Sequence, residues 1–220
     1  MSIGRPTSRT ACLIAGLMSA GLAACAPGRY LQETGGDFNG TWSMRWGDQT
    51  GLQADCSELA PFTPHDMTVR ATARGDLDGD GDEDALAVIE RDADRAASSP
   101  RGLLLLNRDP GGSLREAMNS PNAILCRKCG GMMGEPLQGI RIGHGDFTLR
   151  FEGGSRELWS SEYRFEYSRD RDLWLLTQIV HDGFDRADGK AAKRQLIASD
   201  FGEVSLEHFD PEDYPANALP

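Results

Sequence analysis

The chain has 220 residues and a formal net charge of −11, and 39% of its residues are hydrophobic. This length is sufficient for one domain with a substantial buried core. The excess of acidic residues argues against nucleic acids and anionic lipid headgroups as partners, because like charges repel. The same excess suits divalent cations.

The first 24 residues are typical of an export signal. Arg5 and Arg9 form a short basic region, and residues 11–24 are apolar or small throughout. This stretch is shorter than the roughly 20 apolar residues of a transmembrane helix, but it suits a secretory signal. It ends in Leu22-Ala23-Ala24-Cys25, which resembles the lipobox of bacterial lipoproteins.

This resemblance implies that residues 1–24 are removed and that Cys25 carries lipid at the new N-terminus. The protein would then be held at the membrane by lipid rather than by a helix. Because the next residue is Ala26 and not an Asp, which would resemble an inner-membrane retention signal, we expect the outer membrane, facing the periplasm. Loss of the two signal arginines changes the net charge from −11 to −13. An ordinary signal peptide with an incidental cysteine is the alternative.

Composition divides the mature chain into three parts. Residues 25–40 are rich in Gly and polar residues, which predicts a lipidated tether. Residues 41–209 carry the strand patterns, and residues 210–220, with three prolines, are expected to be irregular. Apolar and polar residues alternate over 67–74, which predicts a half-buried strand, whereas the continuous apolar runs 85–89 and 103–106 predict strands buried on both faces.

Turn-forming residues separate the strand patterns. They occur at Asp109-Pro110-Gly111-Gly112, Gly143-His144-Gly145-Asp146 and Arg169-Asp170-Arg171-Asp172. No amphipathic pattern of 12 or more residues follows the signal. We therefore predict a mainly β fold, an antiparallel meander of hairpins in one domain, with little helix outside the signal peptide.

Closely spaced carboxylates form the strongest chemical signal, between the first two of these strands. They stand at every second position, at Asp76, Asp78, Asp80, Asp82 and Asp84. A hard cation such as Ca²⁺ takes six to eight oxygen ligands, which a tightly curled loop can supply from neighbouring residues. Gly79 and Gly81 allow that curl. The bidentate Glu of an EF-hand is missing, because the twelfth position is Ala87.

With Gly75 before it and the apolar run 85–89 after it, the loop resembles the calcium loop of FG-GAP and VCBS repeat proteins. The resemblance implies a propeller-blade-like hairpin in which Asp76, Asp78, Asp80 and Asp84 give side-chain oxygens and Asp82 gives its carbonyl. The chain has one such loop, where full propellers have several, so a partial blade is expected. A metal-free acidic turn is the alternative.

Two cysteines, Cys126 and Cys129, stand three residues apart. In an exported protein such a pair predicts a disulfide. A redox site of the thioredoxin type and a four-ligand zinc site completed by Cys56 and a distant histidine are alternatives. Cys56 itself is either free or paired with one of the two. The stretch from Cys126 to Pro136, together with Tyr163–Trp174, resembles exported bacterial proteins that carry a single calcium loop. That resemblance implies no activity.

Motifs of known enzymes are missing from the sequence, which has no Gly-x-Ser-x-Gly, no His-Glu-x-x-His and no phosphate loop. Its four histidines are isolated, and Trp159 and Trp174 lie in strand patterns that predict core positions. The favoured hypothesis is a calcium-stabilised, non-enzymatic β domain at the cell envelope, with an envelope protein or a glycan as its partner. The alternative is a periplasmic hydrolase that uses calcium structurally.

Overall fold

The computed structural model describes residues 57–91, 93 and 99–216, and the backbone of Arg45–Trp46. The predicted signal peptide, Cys25, the tether and Cys56 lie outside these residues. Within the described part of the chain, no helix is long and apolar enough to cross a membrane.

In the described part of the chain, ten strands form two antiparallel sheets in which each strand pairs with its neighbours in the sequence. The first sheet contains β1 (Arg45–Trp46), β2 (Met67–Gly75), β3 (Asp84–Arg91), β4 (Arg101–Arg108) and β5 (Leu114–Ile124). The second sheet contains β6 (Leu137–Ile142), β7 (Asp146–Gly154), β8 (Glu157–Ser168), β9 (Leu173–Asp185) and β10 (Ala191–Ile197). The prediction of a mainly β antiparallel meander is confirmed.

Helical structure is limited to short pieces in the described residues. The α-helix α1 (Ala198–Phe201) has four residues, residues 57–59 are also α-helical, and 3₁₀ turns cover Ala60–Phe62, Leu206–His208 and Pro211–Asp213. The three predicted turns join β4 to β5, β6 to β7 and β8 to β9, as expected from their Gly, Pro and Asp content.

The main hydrophobic core lies between the two sheets. The first sheet contributes aliphatic side chains of β2, β3 and β4, and the second contributes mostly aromatic ones, including Phe147, Phe151, Tyr163 and Phe165. A second cluster covers the opposite face of the first sheet, where Leu104 and other side chains of β3 and β4 pack with the segment before β2. Strands β3 and β4 are therefore buried on both faces, as their continuous apolar runs predict.

Strand β2 differs from its prediction because it contains a β-bulge. Val69 pairs with Ile89 and Ala71 pairs with Val88, so Arg70 is an extra residue on β2. One extra residue reverses the side that all following side chains face. Val69 therefore packs in the second cluster, on the opposite face of the first sheet, and Ala71 packs in the core between the sheets. The expected single buried face of β2 is wrong.

The connection between the two sheets is held by covalent and ionic contacts. Cys126 and Cys129 lie at disulfide-bonding distance, with their Cα atoms 5.1 Å apart. Further along the connection, Glu135 accepts two hydrogen bonds from the Arg101 guanidinium of β4, at 3.0 and 2.6 Å. Arg101 Nε also donates to the carbonyl of Leu125 at 2.8 Å. These contacts fix the path from β5 to β6.

Candidate metal centre

The acidic loop connects β2 to β3 and is curled by two glycines. Gly79 and Gly81 have φ angles of 76° and 99°, a region that side chains with a Cβ rarely adopt. Their N–H groups donate to the two carboxylate oxygens of Asp76, at 2.7 and 3.1 Å. Asp76 therefore organises the loop around its own side chain.

Three of the five predicted aspartates converge. Carboxylate oxygens of Asp76, Asp78 and Asp84 all lie within 4.8 Å of one another. Asp80 is outside this group, and its Oδ1 accepts the N–H of Asp82 at 2.8 Å. Its charge still acts on the cluster by raising the pKa of both Asp78 and Asp84. Asp82 contributes no side-chain oxygen to the group.

Asp84 is the buried member of the cluster. It is the first residue of β3 and is completely inaccessible to solvent. Its two oxygens accept the N–H groups of Leu77 and Arg108, each at 2.7 Å. Burial raises the pKa of Asp84, and the neighbouring carboxylates add to the rise. Burial and the charge of Asp84 likewise raise the pKa of Asp78.

An amide from the neighbouring strand borders the cluster. Asn107 of β4 donates through Nδ2 to Asp78 Oδ2 at 2.7 Å. Its Oδ1 is buried and has no hydrogen-bond partner in the described structure. Because nearly all buried polar atoms have a partner, a partner is also expected for the Asn107 oxygen. A cation bound at the cluster would be one such partner.

Backbone groups of the loop bond directly to the second sheet. The carbonyl of Asp76 accepts the N–H of Gly145, in the β6–β7 turn, at 2.9 Å. The carbonyl of Leu77 accepts the indole N–H of Trp174, on β9, at 3.0 Å. Trp174 is buried in the core, as expected. The loop thus lies at the junction of the sheets.

Side chains of the second sheet complete this junction. The Arg169 guanidinium donates to the carbonyl of Gly79. His144 contacts an oxygen of Asp76 through Nδ1. Between these elements lies an open cavity of about 370 Å³. Its lining is polar and consists of Asp78, Gly79, His144, Gly145, Asp146, Arg164, Glu166, Tyr167 and Arg169.

The donor set fits a hard cation. All converging atoms are carboxylate oxygens, which Ca²⁺ and Mg²⁺ prefer, and a carboxylate has about four acceptor positions, so Asp84 keeps some beyond its two N–H donors. Sequence spacing predicted Asp76, Asp78 and Asp84 correctly as neighbours. It missed Asn107, His144, Arg169 and Trp174, because these residues come from elements far along the chain.

Two further features lie in the second sheet. An open, mostly apolar cavity of about 200 Å³ is lined by Trp159, Leu158, Phe184 and Met133, among others. Trp159 also packs against the core, so it is only partly the core residue that was expected. Separately, Ser161 Oγ lies 2.8 Å from His181 Nδ1, and both residues are buried. Burial makes this pair a poor candidate for catalysis on a dissolved substrate.

No protein family model, curated protein or solved structure matches the chain. The fold and the site define a mainly β protein with two meander sheets and an acidic loop between them.

Proposed function

We propose that the chain is an envelope-anchored lipoprotein whose β domain is stabilised by calcium and serves a structural or interaction role rather than catalysis. The observation that carries the proposal is the convergence of Asp76, Asp78 and Asp84 at the junction of the two sheets. A cation there would offset the repulsion among the carboxylates and hold the loop against the second sheet.

The surface supports an interaction role more than an enzymatic one. Both cavities are open to solvent. Polar groups that line the larger cavity already have partners: Arg164 donates to Asp146, which also lines the cavity, and Tyr167 donates to Asp172, which does not. An active site generally needs convergent polar groups aimed at a substrate.

Thermal melting tests the calcium site. Extracellular calcium modules have dissociation constants of about 10⁻⁴–10⁻³ M, so about 1 mM calcium contributes roughly 0.4–1.4 kcal/mol. For a domain of this size the melting temperature should rise by about 1–6 °C relative to chelator. Magnesium should have a smaller effect, because it demands octahedral geometry and keeps its waters.

Asp78→Ala combined with Asp80→Ala should abolish the calcium shift. A matched control removes two exposed acidic charges elsewhere, by Glu116→Ala with Glu207→Ala, and should keep the shift. The calcium site is rejected if the unmodified protein melts identically in chelator, calcium and magnesium and calorimetry detects no binding at millimolar calcium.

The anchor is tested separately on protein isolated from membranes. Its intact mass should correspond to a chain that begins at Cys25 and carries lipid. Cys25→Ala should accumulate as precursor or leave the membrane fraction. A mature, unlipidated chain that begins elsewhere would contradict the lipoprotein assignment without affecting the calcium site.

A further inference from the structure

The outer edge of β10 is open. In the described structure β10 is the last strand of the second sheet and pairs only with β9. Five of its seven residues are exposed, at 191, 193–195 and 197. An unpaired edge presents backbone N–H and C=O groups to which another extended segment can bond.

The register shows which groups face outward. The carbonyl of Lys190 accepts the N–H of Asp185 at 2.8 Å, so this carbonyl faces β9, whereas the N–H of Lys190 bonds to Asp188 in the turn. Because residues of an antiparallel pair alternate in this respect, Ala191, Lys193 and Gln195 direct their N–H and C=O groups away from the sheet. Ile197 fits the same alternation, since its N–H bonds to Asp200 outside the sheet.

The edge is basic, although the chain as a whole carries −11. Lys190, Lys193 and Arg194 lie on or beside β10, which has no acidic residue. Lys190 and Lys193 have nearby aspartates on the same hairpin, at 2.9 and 3.5 Å. Arg194 is exposed and forms no ion pair with any described residue.

The basic charge of β10 also argues against a second copy of the chain as the partner at this edge. Two β10 strands paired antiparallel would bring the basic side chains of both copies together, and like charges on facing strands are destabilising. An acidic strand would instead meet opposite charges and unpaired backbone N–H and C=O groups at the same edge.

We propose that the edge of β10 is the docking site for an extended, acidic segment of a partner protein, which adds to the second sheet as a sixth strand. The inference rests on the proposed interaction role and names the chemistry of the partner. It does not require the metal, because β10 lies outside the acidic loop. Binding is therefore measured both in calcium and in chelator.

The probe is a synthetic ten-residue peptide in which Glu alternates with Val and Thr, and its control has Lys in place of every Glu. Titrated into the mature protein, the acidic peptide should slow amide hydrogen exchange at Ala191, Lys193 and Gln195. It should bind about tenfold or more tightly than the lysine peptide, because like-charge contacts are costly. Added salt should weaken its binding.

Gln195→Pro tests the geometry. Proline removes one outward N–H and is tolerated on edge strands where that group faces solvent. The variant should lose binding by about tenfold, since a hydrogen bond is lost and the ring obstructs the incoming strand. Gln195→Ala is the matched control and should bind normally. If Gln195→Pro does not fold, Arg194→Glu replaces it and should invert the preference between the two peptides.

Three results would overturn the proposal. One is the absence of protection at millimolar acidic peptide. Another is equal affinity for both peptides, which would remove the charge argument. The third is protection of the same amides that rises with protein concentration alone, which would make the partner a second copy. None of these results bears on the calcium melts, so the two proposals fail separately.

Discussion

Ser161 and His181 form a polar pair inside the second sheet. They are directly opposite each other on β8 and β9, and Tyr163 packs edge-on against the imidazole with ring centroids 6.0 Å apart. Burial lowers the pKa of His181 below its ordinary value of 6.5, and the positive charge of Arg194 acts in the same direction. Near pH 7 the imidazole of His181 is therefore neutral in the folded protein.

This arrangement makes stability depend on pH. Because the unfolded chain takes up the histidine proton at higher pH than the folded one, the contribution of neutral His181 is complete above about pH 6.5 and is lost as the pH falls toward its folded pKa. In His181→Gln the free energy of unfolding should depend less on pH in this range. Urea unfolding in chelator at about pH 7.5 and about pH 5.5 measures it for both proteins. If the free energy of unfolding changes by the same amount between the two pH values in both proteins, the prediction is contradicted.

At the scale of elements, sequence patterns predicted strands and turns well where the signal is local. The apolar runs of β3 and β4 and the three turns follow directly from residue type. The bulge at Arg70 could not be predicted, because apolar and polar residues alternate without interruption across it. Spacing likewise brought Asp76 and Asp84 together but gave no information about Asn107, which approaches only through pairing of β3 with β4.

The connection from β5 to β6 depends on the ion pair between Arg101 and Glu135. The Arg101 side chain is only 1% exposed, whereas that of Glu135 is 30% exposed. Glu135→Gln would leave a buried guanidinium without its counter-charge. Breaking a buried pair in this way is strongly destabilising, and the partial exposure of Glu135 moderates the cost.

We therefore expect Glu135→Gln to lower the free energy of unfolding by about 2–4 kcal/mol. Glu152→Gln is the control, since its pair with Arg150 is about one-third exposed on both sides and should contribute less than about 1 kcal/mol. Urea unfolding of the three proteins compares them. Similar losses for the two variants would show that the buried pair has no special weight.

At the scale of the whole molecule, the acidic loop belongs to one sheet and bonds to the other. The carbonyls of Asp76 and Leu77 accept hydrogen bonds from Gly145 and Trp174 across the junction. Any ion that orders the loop should therefore also order this contact between the sheets.

Hydrogen exchange should reveal that coupling. Removing calcium should speed exchange of the Gly145 amide and the Trp174 indole more than exchange of Ile179 in the centre of β9, since local openings respond to local contacts. Two-dimensional NMR in calcium and in chelator resolves these sites. Uniform changes at all of them would indicate that calcium acts on global stability only.

The order of strands in each sheet has a consequence for how the chain folds. Each sheet is built from one continuous stretch, without a strand from the other half inserted between its members. Most pairings are therefore between near neighbours, which favours rapid folding for an all-β protein. The N-terminal sheet can form as soon as residue 124 has emerged from the ribosome. The carbonyls of Asp76 and Leu77 in its acidic loop then lack their hydrogen-bond donors until Gly145 and Trp174 have been added to the chain and have packed against the loop. Closure of the junction is therefore expected as a late step of folding.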